Sequence, residues 1–279
     1  MAYKSVFTVL TDFDAQTPVL AKATDLARRF DAHLDVMCLG MDRSRSSYYE
    51  VGANAVIMEA AIKETHAKAE QVHAGVEKYL KKEEDVRWNA IYALGSVADI
   101  GRIAADAARF GDLAVVGQPY GADAGHDEVL LLEAMLFDAK RGTMIVPRTP
   151  SRGNSGTVVI GWNESAQSLR AIRCALPFLK AADVVHIAII DPPEHGPDRS
   201  DPGGNLAVFL ARHAVHCDIQ VMSRSGGRVS ERLNRHVTES GAGMLVMGAY
   251  GHSRFREAIM GGATRHMLEQ ATVPVLMAH

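Results

Sequence analysis

Thr157-Val158-Val159-Ile160-Gly161-Trp162, closed by the polar stop Asn163-Glu164-Ser165, restates a plan already present at the start of the chain. There Ser5-Val6-Phe7-Thr8-Val9-Leu10 is the same kind of short β-rich run, and Thr11-Asp12-Phe13-Asp14 ends it. A helical stripe follows each copy: Val19, Ala23, Leu26, Ala27 and Phe30 in the first, Leu169, Ile172, Leu176 and Leu179 in the second. Spacings of three and four put each set on one helix face. A repeated strand-and-helix unit governs the reading of everything between.

Each half continues in the same order. In the first, strands are expected over His33–Leu39, Val86–Ala93, Leu113–Gly117 and Thr143–Val146, with helices over Ala55–Lys82, Val97–Phe110 and Val129–Asp138. In the second, strands are expected over Val184–Ile190, Asp218–Met222, Met244–Gly248 and Val273–Met277, with helices over Leu206–Ala214, Arg228–Ser240 and Arg256–Gln270. Alternation of strand and helix implies right-handed crossovers and a mainly parallel sheet. Apolar runs such as Leu113-Ala114-Val115-Val116 and Met244-Leu245-Val246-Met247 suit strands buried on both faces. The fold class is therefore α/β, with two similar, open, mainly parallel five-stranded sheets carrying helices on both faces. The stretch from Pro147 to Gly156 is rich in Pro, Gly and Ser. It sets a first domain at 1–148, a linker at 149–156 and a second domain at 157–279.

Composition narrows the function classes. The 279 residues carry 30 basic and 33 acidic side chains, a formal charge of -3, which argues against a nucleic-acid partner. The three cysteines, Cys38, Cys174 and Cys217, are too few and too scattered for a disulfide framework, and they suit a reducing cytoplasm. No apolar run approaches the roughly 20 residues that span a bilayer. Asp12 and Asp14 interrupt the N-terminus before a signal-peptide core could be completed. The expectation is a cytoplasmic protein with no membrane segment.

Open parallel sheets bind ligands beyond the C-terminal ends of their strands. The richest loop of that kind runs Gly248-Ala249-Tyr250-Gly251-His252-Ser253-Arg254-Phe255-Arg256 and on to Gly261-Gly262-Ala263-Thr264. Glycines three apart allow a sharp turn and close backbone approach. Gly261-Gly262 falls where a new helix begins, and unpaired N–H groups at a helix start suit phosphate oxygens. Arg254, Arg256 and Arg265 could add charge-assisted hydrogen bonds. No Gly-Lys dipeptide and no dinucleotide glycine fingerprint occurs, so neither a Walker A loop nor a Rossmann site is present.

Gly248-x-x-Gly251, nine intervening residues and Gly261 resemble the nucleotide loop of the universal stress protein family. Thr272-Val273-Pro274-Val275-Leu276 resembles that family's closing strand. The resemblance covers the chain as a tandem pair with an adenine nucleotide alpha-hydrolase-like fold, in which only the second copy keeps the loop. It implies ATP, or AMP or ADP, with magnesium as a companion, bound by Gly248, Gly251, His252, Ser253, Arg254, Gly261, Gly262 and Thr264. Asn163 stands where the family usually has an aspartate, and Ile189 resembles the position whose backbone meets adenine. Gly262 replaces the usual hydroxyl residue after the third glycine; losing that contact costs about 0.5–1.5 kcal/mol. In the first half, Gly117-Gln118-Pro119-Tyr120-Gly121 has the wrong spacing, and no nucleotide is expected there.

The familiar catalytic motifs are missing from the sequence. There is no Gly-x-Ser-x-Gly elbow and no HExxH. His213-x-x-His216-Cys217 reads as a helix-end histidine pair rather than a metal site. Ser253 beside His252 lacks the orientation of a nucleophile and its base, and Glu257 alone does not make an ATPase. The charges of the long first-half helix, such as Glu64 and Lys68, read as a solvated face. The resulting expectation is a stress-response or regulatory factor that binds an adenine nucleotide and is read by an unidentified protein partner, with homodimerisation left open. The alternatives are a scaffold that binds no nucleotide and, more remotely, a slow ATP hydrolase.

Overall fold

The computed structural model describes residues 2–43, 55–121, 125–149, 156–192, 201–249 and 262–279. The chain divides into two compact units, one built from Ala2–Gly117 with Gly125–Arg141, the other from Gln118–Ala124 with Gly142–His279.

The N-terminal unit runs β1 (Ser5–Leu10), α1 (Phe13–Phe30), β2 (His33–Asp42), α2 (Ala55–Leu80), β3 (Arg87–Ser96), α3 (Ile100–Ala108), β4 (Leu113–Gly117) and α4 (His126–Glu133). α4 continues into a π-helical turn, Ala134–Asp138. Its strands lie in the order β3-β2-β1-β4, and β1 pairs parallel to both β2 and β4. Val6, Leu10, Leu34 and Leu113 are fully buried, the expected result of apolar runs covered on both faces. α1 starts where the Asp12 carboxylate accepts the Ala15 N–H at 3.0 Å, and ends where Asp31 turns left-handed at φ 49°.

The C-terminal unit runs β5 (Gly142–Val146), β6 (Thr157–Gly161), α5 (Ala166–Leu179), β7 (Val184–Ile190), α6 (Gly204–Arg212), β8 (Asp218–Met222), α7 (Val229–Glu239), β9 (Met244–Gly248), α8 (Gly262–Gln270) and β10 (Val275–Ala278). The strand order is β5-β10-β9-β6-β7-β8. All pairs are parallel except β5 with β10, where Ile145 faces Val275 antiparallel. β5 thus packs with the C-terminal unit although it precedes the polar stretch at 149–156.

Side-chain alternation assigns the helices to faces. Gly161 lies beside Met247 in register, and a Cβ there would meet Leu233 of α7. Gly248, next along β9, points the other way, onto the start of α5. Ile187 and Ile189 of β7 meet the start of α6 on that same second face. Among the described residues, no helix is long and apolar enough to cross a membrane.

Candidate functional site

β6 follows only β5 in the chain order of its unit, yet it lies in the middle of the sheet. The chain leaves β6 through α5 toward β7 on one side, and leaves β9 through α8 toward β10 on the other. The strand order therefore reverses between β6 and β9, and the helices that follow them, α5 and α8, lie on opposite faces, α8 being bonded to α7. Such a reversal opens a crevice beyond the strand ends. Gly161 pairs with both Met247 and Ala188, so the ends of β6, β7 and β9 are level within a residue or two.

The β6–α5 connection is tightly determined. Asn163 Oδ1 accepts from the Ser165 hydroxyl at 2.7 Å and from the Ser165 N–H at 3.3 Å. Glu164 between them sits at φ 60°, a left-handed conformation that this turn imposes. Ser165 then caps α5, its hydroxyl accepting the Ser168 N–H at 3.1 Å. Asn163 is exposed, and its oxygen is engaged in shaping the turn.

Gly248 has a packing reason to be glycine. An ideal Cβ there would lie 2.5 Å from the Ser168 backbone nitrogen and 2.9 Å from the Gln167 carbonyl carbon. Only a bare Cα lets the first turn of α5 cross the end of β9 so closely. Ile189 is 6% exposed, and its side chain packs against the left-handed Gly203 that opens α6. Any ligand contact at Ile189 must therefore use its backbone. Thr264 is buried in the first turn of α8, which begins at Gly262 and carries no acidic residue. Gly251, His252, Ser253, Arg254 and Gly261, with Arg256 and Glu257, lie outside the described residues.

The Arg265 guanidinium lies over the Tyr120 ring at 5.2 Å. Sequence reading also missed an ion pair beyond the same strand ends. Asp191, at the end of β7, accepts from Arg224 Nε at 2.6 Å and from the Arg224 N–H at 3.1 Å. These bonds hold the Asp191 carboxyl below the usual carboxylate range. In the sequence this shows only as an acidic residue closing the apolar run Val184–Ile190; in the structure Asp191 turns left-handed there, at φ 45°.

His213 stacks edge-on against Phe209 at 4.8 Å, and among the described residues no group of three His, Cys, Asp or Glu side chains is arranged to hold a metal. Burial pushes the Cys38 thiol up to about 12, as suits a core thiol.

Residues 155–279 match the model of the universal stress protein family. The likeness to that family lies in this segment, which makes up the C-terminal part of the chain. A curated universal stress protein of Synechocystis sp. is 24% identical over 133 residues, spanning 46% of this chain and 44% of that relative. The chain thus spans less than half the length of this curated relative. Over nearly the whole chain, the fold is that of a universal stress protein from Archaeoglobus fulgidus DSM 4304, with a TM-score of 0.73, 16% identity and coverage of 98% of this chain and 95% of that one. A putative universal stress protein from Pseudomonas aeruginosa UCBPP-PA14 superposes with a TM-score of 0.62 at 16% identity, covering 99% and 92%. At such identities the likeness is one of fold. The segment matched by the family model lies within the C-terminal unit, on the sheet whose order reverses between β6 and β9.

Proposed function

We propose that this universal stress protein is a tandem member whose C-terminal domain binds ATP or a related adenine nucleotide, and that it acts as a stress-response or regulatory factor read by a protein partner. The observation that carries the reading is the first turn of α8, free of acidic residues beside the reversal of strand order in a domain matched to this family. Backbone N–H groups there offer partial positive charge to phosphates. The proposed contacts are Gly248, Gly251, His252, Ser253, Arg254, Gly261, Gly262 and Thr264 around the phosphates and ribose, with Asn163 and the Ile189 backbone toward the base.

Helix-end electrostatics supply at most about 2 kcal/mol, whereas micromolar affinity needs about 8 kcal/mol. Burial of adenine and ribose must provide the rest. Asn163 brings no charge and its oxygen is already engaged, so magnesium, when it accompanies the triphosphate, is held by phosphate oxygens and water rather than by this side chain.

Titration calorimetry of ATP into the full chain and into Gly251→Val is the test. Loss of about tenfold or more in affinity in the variant, about 1.4 kcal/mol, is expected; equal affinities remove the loop assignment. A second reading, a scaffold that binds no nucleotide, is favoured by one feature: Asn163 and Gly248 are both explained by holding α5. Adenine nucleotide released on denaturing the purified protein supports binding, and its repeated absence together with a flat calorimetric trace supports the scaffold.

A further inference from the structure

On the face of the C-terminal sheet opposite α5, two histidines meet. His186 projects from β7 and His236 from α7, with ring centroids 5.3 Å apart and planes tilted by 39°. His186 Nδ1 and His236 Nε2 are both shut off from solvent, and among the described residues neither has a hydrogen-bond partner. Buried polar atoms of this kind are rare, and each calls for an explanation. A neutral imidazole tolerates the place, because the bare nitrogen need only forgo an accepted bond. An imidazolium does not, because its N–H and its charge would both be stranded.

The surroundings give no counter-charge to offset this. On α7, Arg232 lies one turn before His236, and its guanidinium is 3.5 Å from Glu239, which is exposed. On β8, Asp218 is the register partner of His186 and faces solvent. Among the described residues, no carboxylate lies within ion-pairing distance of either ring. Burial, the neighbouring His186 and Arg232 together hold His236 below the usual histidine range, with Glu239 opposing them.

The far flank of α7 is partnered differently. Ser230 bonds His266 Nδ1 of α8 at 3.0 Å, and Glu231 stands 3.9 Å from His266 Nε2. The His266 ring thus has a hydroxyl and a carboxylate for neighbours, whereas the His236 ring faces a second histidine.

We propose that the His186–His236 contact is a proton-sensitive latch that keeps α7 on β7 while His236 is neutral and releases it when His236 takes up a proton, leaving α7 held to α8. The latch stands independently of nucleotide binding. The sign follows from linkage. A histidine kept neutral by the fold leaves the unfolded form binding more protons, so the contact contributes its full stability above the ordinary histidine range, near about 6.5. That contribution is lost as pH falls below it toward the lowered value of the folded state. Local opening of α7, not global unfolding, is the expected first response, since α7 touches the sheet beside an edge strand.

Hydrogen exchange on the full chain, corrected for intrinsic rates, tests this at about pH 7.5 and about pH 5.5. Protection of residues 229–239 should fall about tenfold more than that of residues 166–179 in the acid sample. His236→Phe should make α7 insensitive to pH, while His236→Gln, which keeps a polar group without a titration, should do the same should the phenylalanine fail to pack. Equal acid loss of α7 protection in the native chain and His236→Gln overturns the latch. So does a proton resonance of His236 in the native protein that titrates at or above the usual histidine range.

Discussion

Two helices occupy corresponding places in the two halves, and they open in opposite ways. α4 follows β4, and its first turn carries Asp127 and Glu128; Asp127 is buried and paired to Arg43 beyond the end of β2. α8 follows β9, and its first turn reads Gly262-Ala263-Thr264. The N-terminal unit has thus supplied its own anion to the helix start, satisfying the positive end of the dipole from within. The C-terminal unit leaves the same end without one. A phosphate arriving at α4 would meet a carboxylate; at α8 it would meet amides. One acidic residue in the first turn is enough to make the difference between a closed helix end and one that can accept a guest.

The two glycines that end β4 and β9 break the symmetry further. A Cβ on Gly117 would touch only Val19 Cγ2 at 3.4 Å, whereas one on Gly248 would drive into the α5 backbone. Gly248→Ala should therefore destabilise the C-terminal unit by about 3 kcal/mol, and Gly117→Ala should change the N-terminal unit by no more than about 0.5 kcal/mol. Trp88 and Trp162, the two tryptophans of the chain, report the units separately in urea melts of single-tryptophan variants. Equal losses at the two glycines would dissolve the contrast.

Next in size comes a transplant. Ala263→Asp puts a carboxylate at the second position of α8, where Asp127 stands in α4. ATP affinity should drop about tenfold with melting temperature unchanged or slightly higher, because acid at a helix start favours the helix. Undiminished ATP binding would show that α8 is not the phosphate end.

The halves should agree, by contrast, at their first helix. Asp12 caps α1 and Ser165 caps α5, each accepting the N–H three residues on. Asp12→Ala and Ser165→Ala should each cost about 1 kcal/mol in chemical denaturation. The smallest effect concerns Asp191. Its carboxyl is held low by Arg224, so the pair steadies the β7 end above the ordinary carboxylate range and ceases to do so as pH falls through the lowered value. Arg224→Ala should remove that acid-side slope from a stability-against-pH curve, and high salt should blunt it in the native chain.

Much of this fold was written in local pattern. The β1 and β6 runs, the stripes of α1 and α5 and the order of elements all follow from periodicity, and each appears where the apolar spacing puts it. Element ends were less legible for identifiable reasons. The closing strand begins at Val275, one residue beyond Pro274, which has no N–H to donate to a ladder. β3 runs on to Ser96 because β2 continues beside it as far as Asp42, which no local signal announces. The antiparallel direction of β5 is set by its partner β10, about 130 residues later, and so lies beyond any window of sequence. Gly248 was legible as a turn glycine, but its contact with α5 depends on how a helix crosses a strand end. His186 and His236 lie fifty positions apart on different elements, and nothing in either neighbourhood pairs them.

The placement of β5 bears on how the protein can be dissected. β5 covers the edge of β10, and Gln118 reinforces that side: its amide donates to the Leu268 and Glu269 carbonyls at the end of α8 and accepts the Arg148 N–H. A gene cut at the polar stretch around 149–156 would sever all of this from the half that needs it. The liberated C-terminal piece would bear a bare row of backbone donors and acceptors along β10, a template for aggregation. Its last helix would lose the two bonds from Gln118 as well. The repeat visible in the primary structure is therefore a poor guide to where scissors should fall: the autonomous piece has to borrow a strand and a glutamine from upstream.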